Sequence, residues 1–203
     1  ELGKFFDEAF LIQGIKGAHM AAPAGLNGAI GAGITKDLAG AGDEDDPDPL
    51  YAKISEALVD MEEADQDVES YAIFLRPRRY EVLLNHDKLI DRDFSMDNGD
   101  FADGTIKTIK GCPIIKTPRM PTAAVTNHYL SNAENGMAYD LSATEAKSVA
   151  LIMAPTSLLA GETIPLQSEI YYSQIEKQWF IDSFLAFGVA NRRPDQCAVI
   201  RKA

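Results

Sequence analysis

"GTIKTIKGCPIIKTPRMP", residues 104–121, reads as strand, turn and strand with a proline stop at Pro121. It also holds Cys112, one of two cysteines, and the cations Lys107, Lys110, Lys116 and Arg119 in a chain of net charge −12. Those residues could make a reactive or basic site, or none. Cys112 is followed by Pro113 in an apolar run, which favours a buried thiol over a nucleophilic thiolate. Lys107 and Lys110 lie an odd number of positions apart, so along a strand they point to opposite faces and form no single patch. The stretch predicts two short glycine-framed strands, with Cys112 as packing and the lysines as scattered surface charge.

The rest of the chain sets the frame for that reading. Its 203 residues, 46% hydrophobic and 25% charged, are enough for a real core without disulfides or metal. The acidic balance argues against a surface built to grip nucleic acid, because phosphate binding relies on clustered Lys and Arg. Cys112 and Cys197 belong to no metal or redox motif, and there is no glycosylation sequon, which fits a reducing compartment. No apolar run nears the roughly 18 residues of a membrane span, so no membrane partner is expected. The sequence opens at Glu1 inside a helical pattern, the mark of a fragment or processed form.

Apolar spacing at Leu2, Phe5, Phe6, Ala9 and Phe10 predicts an amphipathic helix over Glu1 to Met20. The glycine-rich "APAGLNGAIGAG" is loop, and "DEDDPDP" (43–49) announces a helix whose stripe is Leu50, Ile54, Ala57, Leu58 and Met61. "SYAIFLRP" (70–77) reads as a strand buried on both faces, and "RRYEVLLNHDKL" (78–89) as one further helix. "DFSMDNGDFADGT" (93–105) is loop, with turn signals at Asn98-Gly99 and Asp103-Gly104. "SVALIMAP" (148–155) is another apolar strand, preceded by polar connecting chain over 126–145. The last third, rich in Ile, Tyr, Phe, Trp and Val, predicts long strands with a hairpin break at "SQIEKQ". Arg193-Pro194 then punctuates before a final strand, "CAVIRK". The order of helix, mixed elements and long strands is α+β without a βαβ repeat.

The search for chemistry finds no centre. "GLNGAIGAG" (25–33) lacks the flanking strand and the Lys-Ser/Thr of a phosphate loop. "DEDDPDP" lacks the Gly and distal Glu of a calcium loop, and suits the start of a helix instead. His19, His86 and His128 stand in three separate segments without metal-ligand spacing. No catalytic, cofactor-binding or metal residue is therefore expected, and no enzymatic activity; a dispersed active site in a small acidic enzyme is the competing reading from another class.

The order of segments resembles the major capsid proteins of tailed bacteriophages, and most closely those of short-tailed phages related to the coliphage T-seven group. The residues that carry the resemblance are the helix from Glu1 to Met20, the proline-ended "YAIFLRPRRY", the glycine-framed "GTIKTIKGCPIIKTPRMP" and the terminal "FGVANRRPDQCAVI". The resemblance implies the Hong Kong ninety-seven-like fold, with a spine helix, an axial domain sheet and long peripheral strands. It places 1–33 and 156–190 in a peripheral domain, and 34–155 with 191–203 in an axial domain. It implies a structural subunit that joins copies of itself into pentamers and hexamers of an icosahedral shell, with scaffolding and portal proteins as further partners. Packaged double-stranded DNA would be touched only non-specifically, since an acidic wall repels phosphates. The location implied is the virion capsid, assembled in the cytoplasm of the bacterial host. An encapsulin-type shell, which shares the fold, stays open beside it. The family's N-terminal arm and extended loop have no counterpart in these residues. Tyr171, Tyr172, Trp179 and Phe180 are candidates for subunit contacts, with core filling as the equal alternative.

Overall fold

The computed structural model describes residues 2–25, 30–67, 70–90, 99–100 and 104–203. Its centre is the strand Ser148–Met153 (the seventh, β7), which pairs antiparallel with Ala72–Leu75 (β2) on one side and Cys197–Arg201 (β10) on the other. Ile34–Asp37 (β1) adds to β10 in parallel, while Cys112–Lys116 (β6) and Thr108–Ile109 (β5) extend the opposite side. The result is a six-stranded mixed sheet in the order β1-β10-β7-β2-β6-β5.

A helix covers each face, and the alternation of side chains along the strands divides the core between them. Helix α2, Pro47–Glu63, begins where the Asp46 side chain accepts a hydrogen bond from the Asp48 amide and Pro47 takes the first helical position. Its whole expected stripe, Leu50, Ile54, Ala57, Leu58 and Met61, is buried against Ile73, Leu75, Ile152 and Ile200. Helix α1, Leu2–His19, lies on the other face, where Ile12 and Ile15 meet Leu151, and Ala18 meets Cys197 and Val199. A Cβ at Gly17 would collide with the Asn191 side chain, so glycine there permits the close approach of α1 to the chain entering β10.

The glycine-framed stretch holds three short strands where two are expected: residues 105–106, then β5 and β6, which form a hairpin. Lys110 and Gly111 both have left-handed backbone, φ 48° and 84°, the signature of a tight hairpin turn between β5 and β6. The last strand ends at Lys116, not at Pro121. The Thr117 amide donates to the Leu75 carbonyl, and Pro118 has no amide with which to continue.

Three further expectations change. "RRYEVLLNHDKL" holds two helices, Pro77–Leu83 (α3) and Asp87–Ile90 (α4), broken where the Asn85 side chain donates to the Glu81 carbonyl in competition with the helix. Strand β2 is buried on the α2 side at Ile73 and Leu75, but Ala72 and Phe74 are only half-buried, because α1 covers that face incompletely. The polar chain of 126–145 has no regular element beyond the isolated Val125–Leu141 bridge and the start of a 3-10 turn at Glu145–Lys147, yet it sends Tyr139 and Leu141 into the core under α1. Asn98 and Asp103, named as turn residues, lie outside the described residues; Gly99–Asp100 (β3) pairs with Thr105–Ile106 (β4).

Leu158–Ser173 (β8) and Gln178–Asn191 (β9) form a separate two-stranded ribbon, turning over residues 174–177 as the sequence predicts. Its register shifts between Glu162 and Gln167, where Pro165 has no amide to give to the ladder.

Candidate interaction surface

The base of the ribbon belongs to the core. Val189 is buried, the Phe187 ring packs 4.6 Å from that of Phe6 on α1, and the Tyr139 hydroxyl both accepts from the Val189 amide and donates to its carbonyl, each at 2.7 Å. Beyond Phe187 the ribbon leaves the body. Strict alternation along β9 keeps Ile181 and Trp179 on the same face as Val189 and Phe187.

On that distal face the cross-strand pairs are Ile170 with Ile181 and Tyr172 with Trp179. Their exposures are 67%, 74%, 47% and 70%, and Ile175 at the turn is 95% exposed. A soluble surface rarely presents so many large apolar side chains together without a partner. The opposite face stacks Tyr171 on Phe180 at 5.5 Å, and sets Glu169 directly across from Asp182. Like charges facing each other across a ladder destabilise it, and neither carboxylate has an ion pair among the described residues. Tyr171, Tyr172 and Trp179 are thus surface residues, and Phe180 is half-buried; core filling does not describe them.

A second apolar patch flanks α1. A cleft of about 500 Å³ is lined by Phe6, Phe10, Phe74, Ile115 and Met153, with Lys116 and Arg119 at its rim. Arg119 pairs with Asp7 across it.

The residues considered for chemistry are dispersed. Cys112 and Cys197 are both buried and in no disulfide, and burial raises their pKa, that of Cys197 to about 11, away from thiolate reactivity. His86 lies under Tyr51 and His128 against Tyr139, both with pKa lowered by burial, while His19 bonds the Ile15 carbonyl. In the acidic run, Asp46 caps α2, and Asp45 pairs with Arg78 and Arg79. Among the described residues no three His, Cys, Asp or Glu side chains gather as metal ligands, and no helix is long and apolar enough to cross a membrane. Of the glycine-rich segment, residues 26–29 lie outside the described residues.

No protein-family profile matches the chain, and no curated protein does. Solved structures do. The mature capsid of bacteriophage PhiM1 aligns at a TM-score of 0.80 and 27% identity, over 98% of this chain and 61% of that one. The capsid of cyanophage P-SCSP1u aligns at 0.84 and 17% identity, over 100% and 62%. The chain has the fold of a phage capsid subunit. A structure from Mycobacterium phage Che8 aligns more loosely, at 0.64 and 17% identity over 98% of this chain and 58% of that one. The chain spans about three fifths of the length of the first two capsid chains it matches.

Within the capsid fold, what sequence reasoning missed is which face of the ribbon is apolar. Ile170, Ile175 and Ile181 went unnoticed beside the aromatics. The signal was present: "SEIYYSQIEKQWFID" places large apolar residues on both faces of a hairpin that has no third strand to cover it.

Proposed function

We propose that the chain is the shell-forming part of a major capsid protein of a short-tailed DNA phage of the T-seven group. It acts by self-association into pentamers and hexamers, without catalysis. The observation that supports this best is the exposed ladder of Ile170, Ile181, Tyr172 and Trp179, carried on a ribbon of the capsid fold. The α1 cleft offers a second, different patch, and two unlike patches make head-to-tail contacts that close into rings.

In this reading 1–33 and 156–190 form the peripheral domain, in keeping with the packing of Phe187 and Val189 on α1, and 34–155 with 191–203 form the axial domain around the sheet. Scaffolding and portal proteins are the further partners, DNA is enclosed with only non-specific contact, and the subunit resides in the virion after assembly in the host cytoplasm.

Electron microscopy of the full-length product tests the proposal. Rings of five or six, or shells, are expected. Shells filled with a cargo protein would replace the phage reading with an encapsulin-type one, and a monodisperse monomer at high concentration would overturn both.

A further inference from the structure

Strand β7 runs antiparallel to both of its neighbours, so its beginning lies beside the ends of β2 and β10. Each of those three chain positions carries a cation: Arg76 just after β2, Lys147 just before β7, and Lys202 just after β10. The Lys202 amide donates to the Lys147 carbonyl at 3.0 Å, which holds the two segments together. Arg79, in the first turn of α3, joins them around a small cleft of about 70 Å³ that Thr122 and Ser148 also line.

The nearby carboxylates are already engaged. Glu44 and Asp45 pair with Arg79, and Asp37 holds Arg201 through two hydrogen bonds of 2.6 and 2.7 Å. Glu145 accepts from Ser142 and pairs with Lys16. No described ion pair reaches Arg76, Lys147 or Lys202; the Asp37 carboxylate, bonded to Arg201, feels Lys147 only at longer range, so three cations stand together without a close counter-charge in a chain of net charge −12. Arg76 is half-buried, and one of its terminal nitrogens donates to the Met120 carbonyl at 2.8 Å. That bond fixes the guanidinium and leaves its other N–H groups for a ligand.

We propose that this cleft binds a single phosphate group, with Arg76 as the fixed donor and Lys147 and Lys202 as the charges at its mouth. The chemistry favours phosphate over a carboxylate. A tetrahedral oxyanion presents several acceptor oxygens at once to a guanidinium fork and two ammonium groups, and its higher charge offsets their mutual repulsion. The cleft has room for one such group and little more. The phosphate could belong to a nucleic-acid backbone or be free in solution, and the recognition is the same. This site is independent of the shell reading, and it would be a local exception to an acidic surface that otherwise repels phosphates.

The test uses the full-length protein, the double variant Lys147→Ala/Lys202→Ala, Arg76→Gln, and Lys177→Ala from the ribbon turn as a control. Each is titrated with inorganic phosphate, read by thermal midpoint, and with a short DNA duplex, read by anisotropy at several salt concentrations. Phosphate should raise the midpoint of the wild type and the control, but not of the double variant or Arg76→Gln. If the source is nucleic acid, the double variant binds duplex roughly tenfold more weakly, and its salt slope falls by about 2, near one unit per lost lysine. A phosphate response without duplex binding assigns the site to free phosphate. Equal behaviour of wild type and double variant with both probes overturns the proposal, as does an equal loss in Lys177→Ala. Particle formation is scored separately on the same samples, so failure of the shell reading leaves the titrations interpretable.

Discussion

The six-stranded sheet and the β8–β9 ribbon use the same vocabulary of Ile, Val, Leu and aromatic residues, but only the sheet has an inside. In β7, Ser148 to Ile152 are all buried, because α1 and α2 cover the two faces. In β8 no residue is buried over its length, and in β9 only Val189 is. Apolar composition makes a strand; the number of layers over it decides whether it becomes core or contact surface. A two-stranded ribbon is marginal by itself, and among the described residues nothing covers the distal apolar face of this one.

A paired substitution puts the strongest strain on that contrast. Leu58→Ala empties a fully buried site under the sheet, and should cost about 2–5 kcal/mol in urea unfolding of the chain. Ile181→Ala removes a residue of similar size that is 74% exposed, and should move the same measurement by only about 0.5 kcal/mol. It should nevertheless stop or slow the formation of rings and shells. Equal destabilisation by the two variants would mean that the ribbon is core after all.

At the join between the two regions, beside the packing of Phe187 on Phe6, one side chain holds the ribbon backbone through two hydrogen bonds. Tyr139→Phe leaves both the amide and the carbonyl of Val189 without their partner in a buried setting, at a cost of about 1–3 kcal/mol. Amide exchange should then rise at the base of the ribbon and stay unchanged in β7; a uniform rise would show that ribbon and sheet open as one unit. Further from the join, Asp46→Ala removes the cap of α2 and should cost about 1 kcal/mol, confined to the body. Thermal unfolding measures it, and no loss would mean that Pro47 alone starts the helix.

The same contrast explains what could be read in advance. The α2 stripe, strand β7, the ribbon and its turn were legible, because each rests on a local period or on turn chemistry within its own segment. Strand β1, "ITKD", was not anticipated. Only its parallel pairing with β10 and the Asp37–Arg201 pair, 164 positions away in sequence, make it a strand. Tyr139 and Leu141 sit in a polar segment whose composition hides the two residues that matter. The phosphate-sized cleft was invisible for the same reason: Arg76, Lys147 and Lys202 are single cations in three distant segments, and only strand order brings them together.

Acidity provides the mildest way to separate the regions, since His86 and His128 lie in the body and the ribbon has no histidine. Burial lowers the pKa of His128 most, against the opposing pull of Glu8 and Asp140; burial likewise dominates at His86, against Asp48 and Asp87. For a histidine depressed in the folded state, the unfolded chain binds the proton more readily. Its contribution is therefore complete above the unfolded pKa of about 6.5, and is lost as pH falls from there through the folded value. Asp37, held low by its bonds from Arg201, begins to count only below about pH 4. Between pH 7 and pH 5 the body should thus lose a little stability through His86 and His128. His128→Phe keeps a ring against Tyr139 but removes the titration and the acceptor for the Leu130 amide. Loss of the acceptor shifts stability equally wherever the folded ring is neutral, since an imidazolium cannot accept, whereas loss of the titration flattens the slope. Unfolding free energies at pH 7, 6 and 5 distinguish the two, and an unchanged slope in His128→Phe would show that this ring does not drive the acid response.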